Sequence, residues 1–287
     1  MLGSAEYRRV SREGASSRSG PAMGDRAGKW VSRFGFVLSL ALATNPSTAL
    51  ADPGSYRAVR MAGPGSVARL EVHLGEERFL DILKVNRIDR AHALEADTLL
   101  LPGDSLGLMD LSPWPRSLAA IDSIPKVILV SMRIQAFAAY EHGNLARWGP
   151  ISSGGPNAPT REGRYSVGWK DPMHVSSVDS SWIMPWTVNI DREIGTALHQ
   201  YSLPGLPASH CCIRLLEEDA SWVYGWVTTW KVARDGKVLV PGTPVVLFGA
   251  YDFRSPPPWR RLAIDPAATN LTPGEMAAAL QLLLRSD

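Results

Sequence analysis

The chain has 287 residues, 45% of them hydrophobic and 20% charged, enough to bury a core without metal or disulfide staples. Lys+Arg 30 against Asp+Glu 28 leave a net charge of +2, which excludes a strongly basic nucleic-acid binder and gives no electrostatic case for an acidic partner. Gly 25 and Pro 22 predict many turns and a mainly β fold rather than a helical bundle. The two cysteines are neighbours, Cys211 and Cys212, so they can build neither a cross-chain disulfide nor a four-cysteine metal site.

Residues 1–51 read as a leader. The apolar run Phe34 to Ala43 follows Arg26, Lys29 and Arg33 and precedes Ala49-Leu50-Ala51. A basic flank, a short apolar core and a small-x-small site are the parts of a secretory signal. The run is too short for the about 20 residues that span a bilayer, and Met23 would give a signal of ordinary length. The expectation is an exported protein, in the periplasm or cell wall, with no stable membrane insertion after signal removal. Exported proteins normally pair their cysteines. Two adjacent thiols that tie down no loop call for a chemical explanation instead.

Residues 52–110 read as a small α+β module. Phe79 to Ile88 has helical apolar spacing, and Asp97 to Leu101 is a short strand stopped by Pro102-Gly103. The stretch ILKVNRIDRAHALEADTLLLP resembles the second half of a LysM-type sugar-binding repeat; simple packing against a following domain explains it equally well. Residues 111–125, with Pro113, Pro115 and Pro125, read as a linker.

From Lys126 the pattern changes to short strands. A hairpin is expected over 127–148, turning at Glu141-His142-Gly143-Asn144, with further strands at 164–169, 182–189 and 244–248. The Ser152-Ser153-Gly154-Gly155 loop is followed by no phosphate-binding lysine, so it is not read as a nucleotide site. Leu216, Ala220, Val223, Tyr224 and Val227 share a helical face, with three acidic residues in the first turn. Thr228 to Val240 looks like an inserted surface hairpin turning at Asp235-Gly236. Residues 251–287 hold Pro256-Pro257-Pro258 and then a helix capped by Thr272, Pro273 and Glu275, whose apolar stripe predicts docking on the domain.

One cluster carries chemistry: His199, then Ser209-His210-Cys211-Cys212-Ile213-Arg214. A cysteine attacks as thiolate and needs a neighbouring base or positive field. His199 and His210 are the candidate bases, since imidazole titrates near neutrality. Arg214, two positions beyond Cys212, should share its strand face and could hold a carboxylate or brace the loop. The backbone N–H groups of 211 and 212 could form an oxyanion hole. Zinc is disfavoured because adjacent cysteines rarely wrap one tetrahedral ion; no metal or other cofactor is expected.

The segment ALHQYSLPGLPASHCCIRL resembles the active-site segment of the L,D-transpeptidases, the YkuD-type catalytic domain, in which an upstream His precedes Ser-His-Gly-Cys-hydrophobic-Arg. The 127–148 hairpin, the Ser-Ser-Gly-Gly loop, APTREGRYSV, Met184-Pro185 and Gly242-Thr243-Pro244-Val245 fit the same pattern in order, over about 125–250. The resemblance implies a YkuD-type β-sandwich domain with few helices at 126–250. It makes Cys212 the nucleophile, His199 the proton donor and acceptor, His210 an auxiliary histidine, Ser209 an orienting hydroxyl and Arg214 a substrate-side or structural arginine. The implied partners are peptidoglycan stem peptides, cleaved before the terminal D-Ala with release of that residue. The histidine-before-cysteine order argues against papain-like and NlpC-type peptidases. Hydrolysis on the same fold, as a carboxypeptidase or amidase, and non-catalytic wall binding remain open alternatives. The main departure is Cys211, where the family has glycine. If that position needs φ > 0, a side chain there costs about 1–3 kcal/mol, and a strained disulfide to Cys212 would silence the thiolate.

Overall fold

The computed structural model describes residues 55–285; the leader expected over 1–51, with Met23, lies outside the described residues. The first described segment folds as β1 (Tyr56–Arg60), α1 (Pro64–Leu74), α2 (Glu76–Asn86), α3 (Arg90–Glu95) and β2 (Thr98–Pro102). β1 and β2 pair antiparallel, and Val67, Phe79, Ile82, Leu83 and Leu99 are buried beneath the helices as a separate small core. The helix expected at 79–88 and the strand before Pro102 are both present, and a strand at 56–60 closes the module.

The rest is mainly β. Its strands are β3 (Lys126–Ser131), β4 (Ala136–Glu141), β5 (Asn144–Ser152), β6 (Gly163–Ser166), β7 (Lys170–Val175), β8 (Ile183–Asn189), β9 (Ala197–Gln200) and β10 (Ile213–Leu215). After α4 (Glu217–Trp226) come β11 (Lys231–Val232), β12 (Val238–Val240), β13 (Pro244–Phe248) and α5 (Pro273–Leu284). Nine strands form one sheet in the order β6-β13-β3-β4-β5-β10-β9-β8-β7. The β3–β4–β5 meander is antiparallel, whereas β13–β3 and β10–β9 are parallel.

β3 explains why the sheet has two cores. Val127, Ile128, Leu129 and Val130 are all fully buried, a continuous apolar run rather than an alternating one, so both faces of the strand are covered. Val127 and Leu129 join one core with Tyr140, Trp148, Trp259 and α5; Ile128 and Val130 join the other with Leu198, Ile213, Leu215 and α4. The curled sheet encloses this second core between its β3–β4 and β9–β10 regions, which gives the expected sandwich.

The expected linker is packed: Leu111, Trp114 and Ile121 are buried in the first core, with Trp114 edge-on to Phe248. The terminal helix docks through Ala279, Leu280 and Leu283. Its Thr272–Glu275 capping box is formed, and Glu275 also pairs with Arg133. The 228–240 insertion is the β11–β12 hairpin, with Gly236 at φ 83° in its turn. Among the described residues no helix is long and apolar enough to cross a membrane.

Candidate active site

The pairing of β9 with β10 sets the geometry. The two strands run parallel, with Ile213 beside Leu198 and Arg214 beside His199. Ile213 and Leu198 are buried in the second core, so the period-two pleat turns Ala197, His199 and Arg214 to the other face. Cys212 immediately precedes β10 and continues that alternation. A base and a thiol on successive segments are thereby brought to one surface.

His199 is only 4% exposed, and its Nδ1 lies 2.9 Å from the Gln200 carbonyl oxygen. That oxygen can only accept, so Nδ1 carries the proton and Nε2 is left as the free base. Burial lowers the His199 pKa to about 4 against the raising effect of the Gln200 contact; the nearby Arg214 charge adds to the lowering. The ring is neutral at neutral pH.

The two sulfurs rest over one short stretch. Thr196 Oγ1 is 3.9 Å from Cys211 Sγ, and Cys212 Sγ is 3.9 Å from the carbonyl oxygen of Gly195. A hydrogen bond from Cys212 lowers the Cys211 thiol to about 6 against its burial, with help from Thr196. The same contact pushes Cys212 up, and burial pushes it further. The pair therefore shares one ionisation: once one sulfur is charged, the other keeps its proton.

Cys211 has φ 68°, the left-handed region that favours glycine. Its amide donates to the Ala158 carbonyl at 3.0 Å, and its carbonyl accepts from Thr160 Oγ1 at 2.9 Å. Thr160 Oγ1 also accepts from the Gly154 amide at 2.8 Å. These bonds hold the strained backbone in place, and they correct one expectation. The Cys211 N–H is committed to Ala158 and is not free to serve an oxyanion.

Ser209, 6% exposed, is fixed through its backbone. Its amide donates to Ser153 O at 3.0 Å and its carbonyl accepts from Gly155 N at 2.8 Å. Gly154 must be glycine, because a Cβ there would lie 2.2 Å from Ala158 O. Upstream, Ser152 Oγ donates to Leu206 O at 2.8 Å and accepts from Ala208 N at 3.1 Å. His210 is exposed, and its ring lies 4.8 Å from that of Trp182 at 38°. Trp182 therefore borders the site, whereas Trp186 packs against Tyr224. Arg214 braces the loop: its guanidinium sits 4.7 Å from the Tyr201 ring and donates to Ser202 O at 3.4 Å.

Four contributors escape a linear reading: Thr196, Ala158, Thr160 and Asp89, which bonds to the Leu203 amide at 2.7 Å. Ala158 and Thr160 lay in a segment that the motif pattern marked, APTREGRYSV. Among the described residues no three His, Cys, Asp or Glu side chains are grouped as a metal site.

The curled β domain thus carries a histidine on β9 and a cysteine pair just before the neighbouring parallel strand β10. Residues 125–247 match the family model of the L,D-transpeptidase catalytic domain, YkuD. L,D-transpeptidase 3 from Mycobacterium tuberculosis, solved with a faropenem-derived adduct, is 24% identical over 43% of this chain and 60% of its own, with a TM-score of 0.34. The L,D-transpeptidase (Yku) of Stackebrandtia nassauensis is 18% identical over 66% of this chain and 89% of its own, with a TM-score of 0.42. An L,D-transpeptidase from Mycobacterium smegmatis is 17% identical over 68% and 91%, with a TM-score of 0.36. The chain thus spans 60% of the Mycobacterium tuberculosis relative's length. No curated protein matches this chain.

Proposed function

We propose that the protein is an exported peptidoglycan L,D-transpeptidase, with Cys212 as nucleophile and His199 as proton acceptor and donor. The observation that supports this reading best is the β9–β10 register, which sets His199 beside Arg214 and the Cys211–Cys212 pair at the head of β10, within the segment that matches the family model.

The chemistry follows from those positions. His199 Nε2 takes the Cys212 proton, and the thiolate attacks the carbonyl between the L-centre of the diamino acid and the terminal D-Ala. The developing oxyanion is met by the N–H of Cys212 itself, since the amide of Cys211 is occupied. The C–N bond breaks, His199 returns the proton to the amine of D-Ala, and a thioester remains. A side-chain amine of a second stem then attacks, gives up a proton to His199 and releases the Cys212 thiolate. In this reading Arg214 pairs with a stem carboxylate on leaving Ser202 O, and the tilted Trp182–His210 pair borders the bound stem. The module at 56–102 and α5 support the domain.

The test is intact-mass spectrometry of the reduced protein with a diaminopimelate-containing tetrapeptide muropeptide. The expected result is an adduct on Cys212, free D-Ala and a crosslinked dimer. A shortened monomer in place of the dimer would make the protein a carboxypeptidase. An unmodified protein would remove the catalytic reading and leave wall binding, scored by pull-down on sacculi. A faropenem challenge gives a second acylation probe, since a solved relative carries such an adduct.

A further inference from the structure

We propose that Cys211 and Cys212 form a peroxide-responsive modification site, at which oxidation joins the two sulfurs in a vicinal disulfide and removes the nucleophile from service. This deepens the transpeptidase reading and rests on it for the consequence, though not for the chemistry of the pair.

The geometry prepares the pair for this reaction. Cys211 is pinned at φ 68° by Ala158 and Thr160, a backbone in which any side chain is held at a cost. The side chain held there is a second thiol, placed against the nucleophile. Both sulfurs lie over consecutive residues, Cys211 Sγ 3.9 Å from Thr196 Oγ1 and Cys212 Sγ 3.9 Å from Gly195 O. Neither has another cysteine to pair with. A thiolate that is stabilised locally and sits beside a resolving thiol is the arrangement of a redox-responsive cysteine. Here the pair loses its first proton near neutral pH through the Cys212-to-Cys211 hydrogen bond and the Thr196 hydroxyl.

The steps balance with a peroxide as oxidant. The Cys211 thiolate attacks one oxygen of hydrogen peroxide, the O–O bond breaks, and Cys211 sulfenic acid and hydroxide form. The Cys212 sulfur then attacks the sulfenic sulfur, the S–O bond breaks, and water leaves with the proton from Cys212. Two electrons have passed from the two sulfurs to peroxide. Consecutive Cα atoms lie about 3.8 Å apart across a trans peptide, below the usual span of about 4.4–6.8 Å for a disulfide. The bridge is therefore strained, and strained bridges are the readily reduced ones. A dithiol reductant restores both thiols and becomes a disulfide itself. A reversible block, not a structural staple, is what this spacing produces.

The experiment titrates the reduced full-length protein with hydrogen peroxide and reads intact mass, then counts alkylatable thiols in the same samples. The expected result is a loss of about 2 Da with both thiols masked, reversed by dithiothreitol. Acylation by the muropeptide or by faropenem should fall and recover in step. A gain of about 16 or about 32 Da, a disulfide-linked dimer, or two thiols still open to alkylation would overturn the proposal. Cys211→Ser serves as the control that cannot bridge and should show oxygen uptake on Cys212 alone. Mass and thiol count are read without any turnover. A protein that bridges but never acylates would refute the transpeptidase reading and leave the modification site standing.

Discussion

Asp89 and Leu203 are joined twice. Asp89 Oδ2 accepts from the Leu203 amide at 2.7 Å, and the Asp89 amide donates to the Leu203 carbonyl at 3.0 Å. Next to them Ile88 and Pro204 form an isolated bridge. A Cβ on Gly205 would lie 2.9 Å from Ile88, so the two segments are in close contact. The first module thus grips the loop that runs from His199 to the cysteines.

That grip predicts a catalytic effect of a residue that never meets substrate. Asp89 also caps α3, accepting from the His92 amide at 2.9 Å. Asp89→Ser keeps a capping oxygen but is too short to hold Leu203. The variant should stay within about 1 kcal/mol of the parent in stability, the scale of one lost hydrogen bond. Its acylation rate should fall several-fold with the pH profile unchanged, and Asp89→Glu should recover part of it. Stopped-flow acylation and thermal melts together make the measurement; equal losses in rate and melting temperature would reduce Asp89 to a stability role.

A second contact between the module and the sheet is a buried ion-pair cluster. Lys84, 3% exposed, reaches Asp219 Oδ1 at 2.8 Å, and Arg147 Nε reaches the same oxygen at 2.7 Å. Asp219 is fully buried. Removing it by Asp219→Ala leaves Lys84 as an uncompensated buried charge and should cost about 3–5 kcal/mol. Lys84→Met leaves Arg147 on the carboxylate and should cost less. Urea denaturation of both singles and the double variant gives the coupling; a larger loss for Lys84→Met would show that Arg147 does not compensate.

These contacts mark where the sequence stops being informative. The His199 to Arg214 segment is readable because its chemistry is compressed into a short stretch, and β3 is readable as an apolar run. Lys84 and Arg87 instead look like the solvated side of an amphipathic helix. In the fold both are buried, Arg87 with its guanidinium 5.5 Å from Trp148 and 5.8 Å from Trp259. Their partners lie far along the chain, Lys84 from Asp219 by 135 residues and Asp89 from Leu203 by 114, and no local period encodes such pairings. The same holds for Cys211. Its place at a glycine position of the motif pointed to a positive φ, which the structure has, but the Ala158 carbonyl that occupies its amide comes from another loop.

Stability should depend on pH through His199. Its folded pKa of about 4 lies below the unfolded value of about 6.5. Between those values the unfolded chain binds more protons, so stability rises with pH across that window and is lost as pH falls through it. The full effect approaches about 3 kcal/mol at about 1.4 kcal/mol per unit. Denaturation midpoints at pH 7 and pH 4.5 should differ accordingly, and His199→Gln should flatten most of the difference. An unchanged pH dependence in that variant would place the titrating group elsewhere.

The two cysteines should respond differently to alkylation and to substitution. The pair shares one ionisation, so limited iodoacetamide near pH 7 should label one cysteine and spare the other, as read by peptide mapping. Cys211→Gly relieves the positive φ, worth about 1 kcal/mol or more in stability. It also removes the contact that most raises the Cys212 thiol, so Cys212 should become more reactive at neutral pH and thioester formation should be preserved or increased. Cys212→Ala should abolish the thioester. Should Cys211→Gly lose acylation while Cys212→Ala keeps it, the nucleophile would be Cys211, and the left-handed residue would be the reactive one.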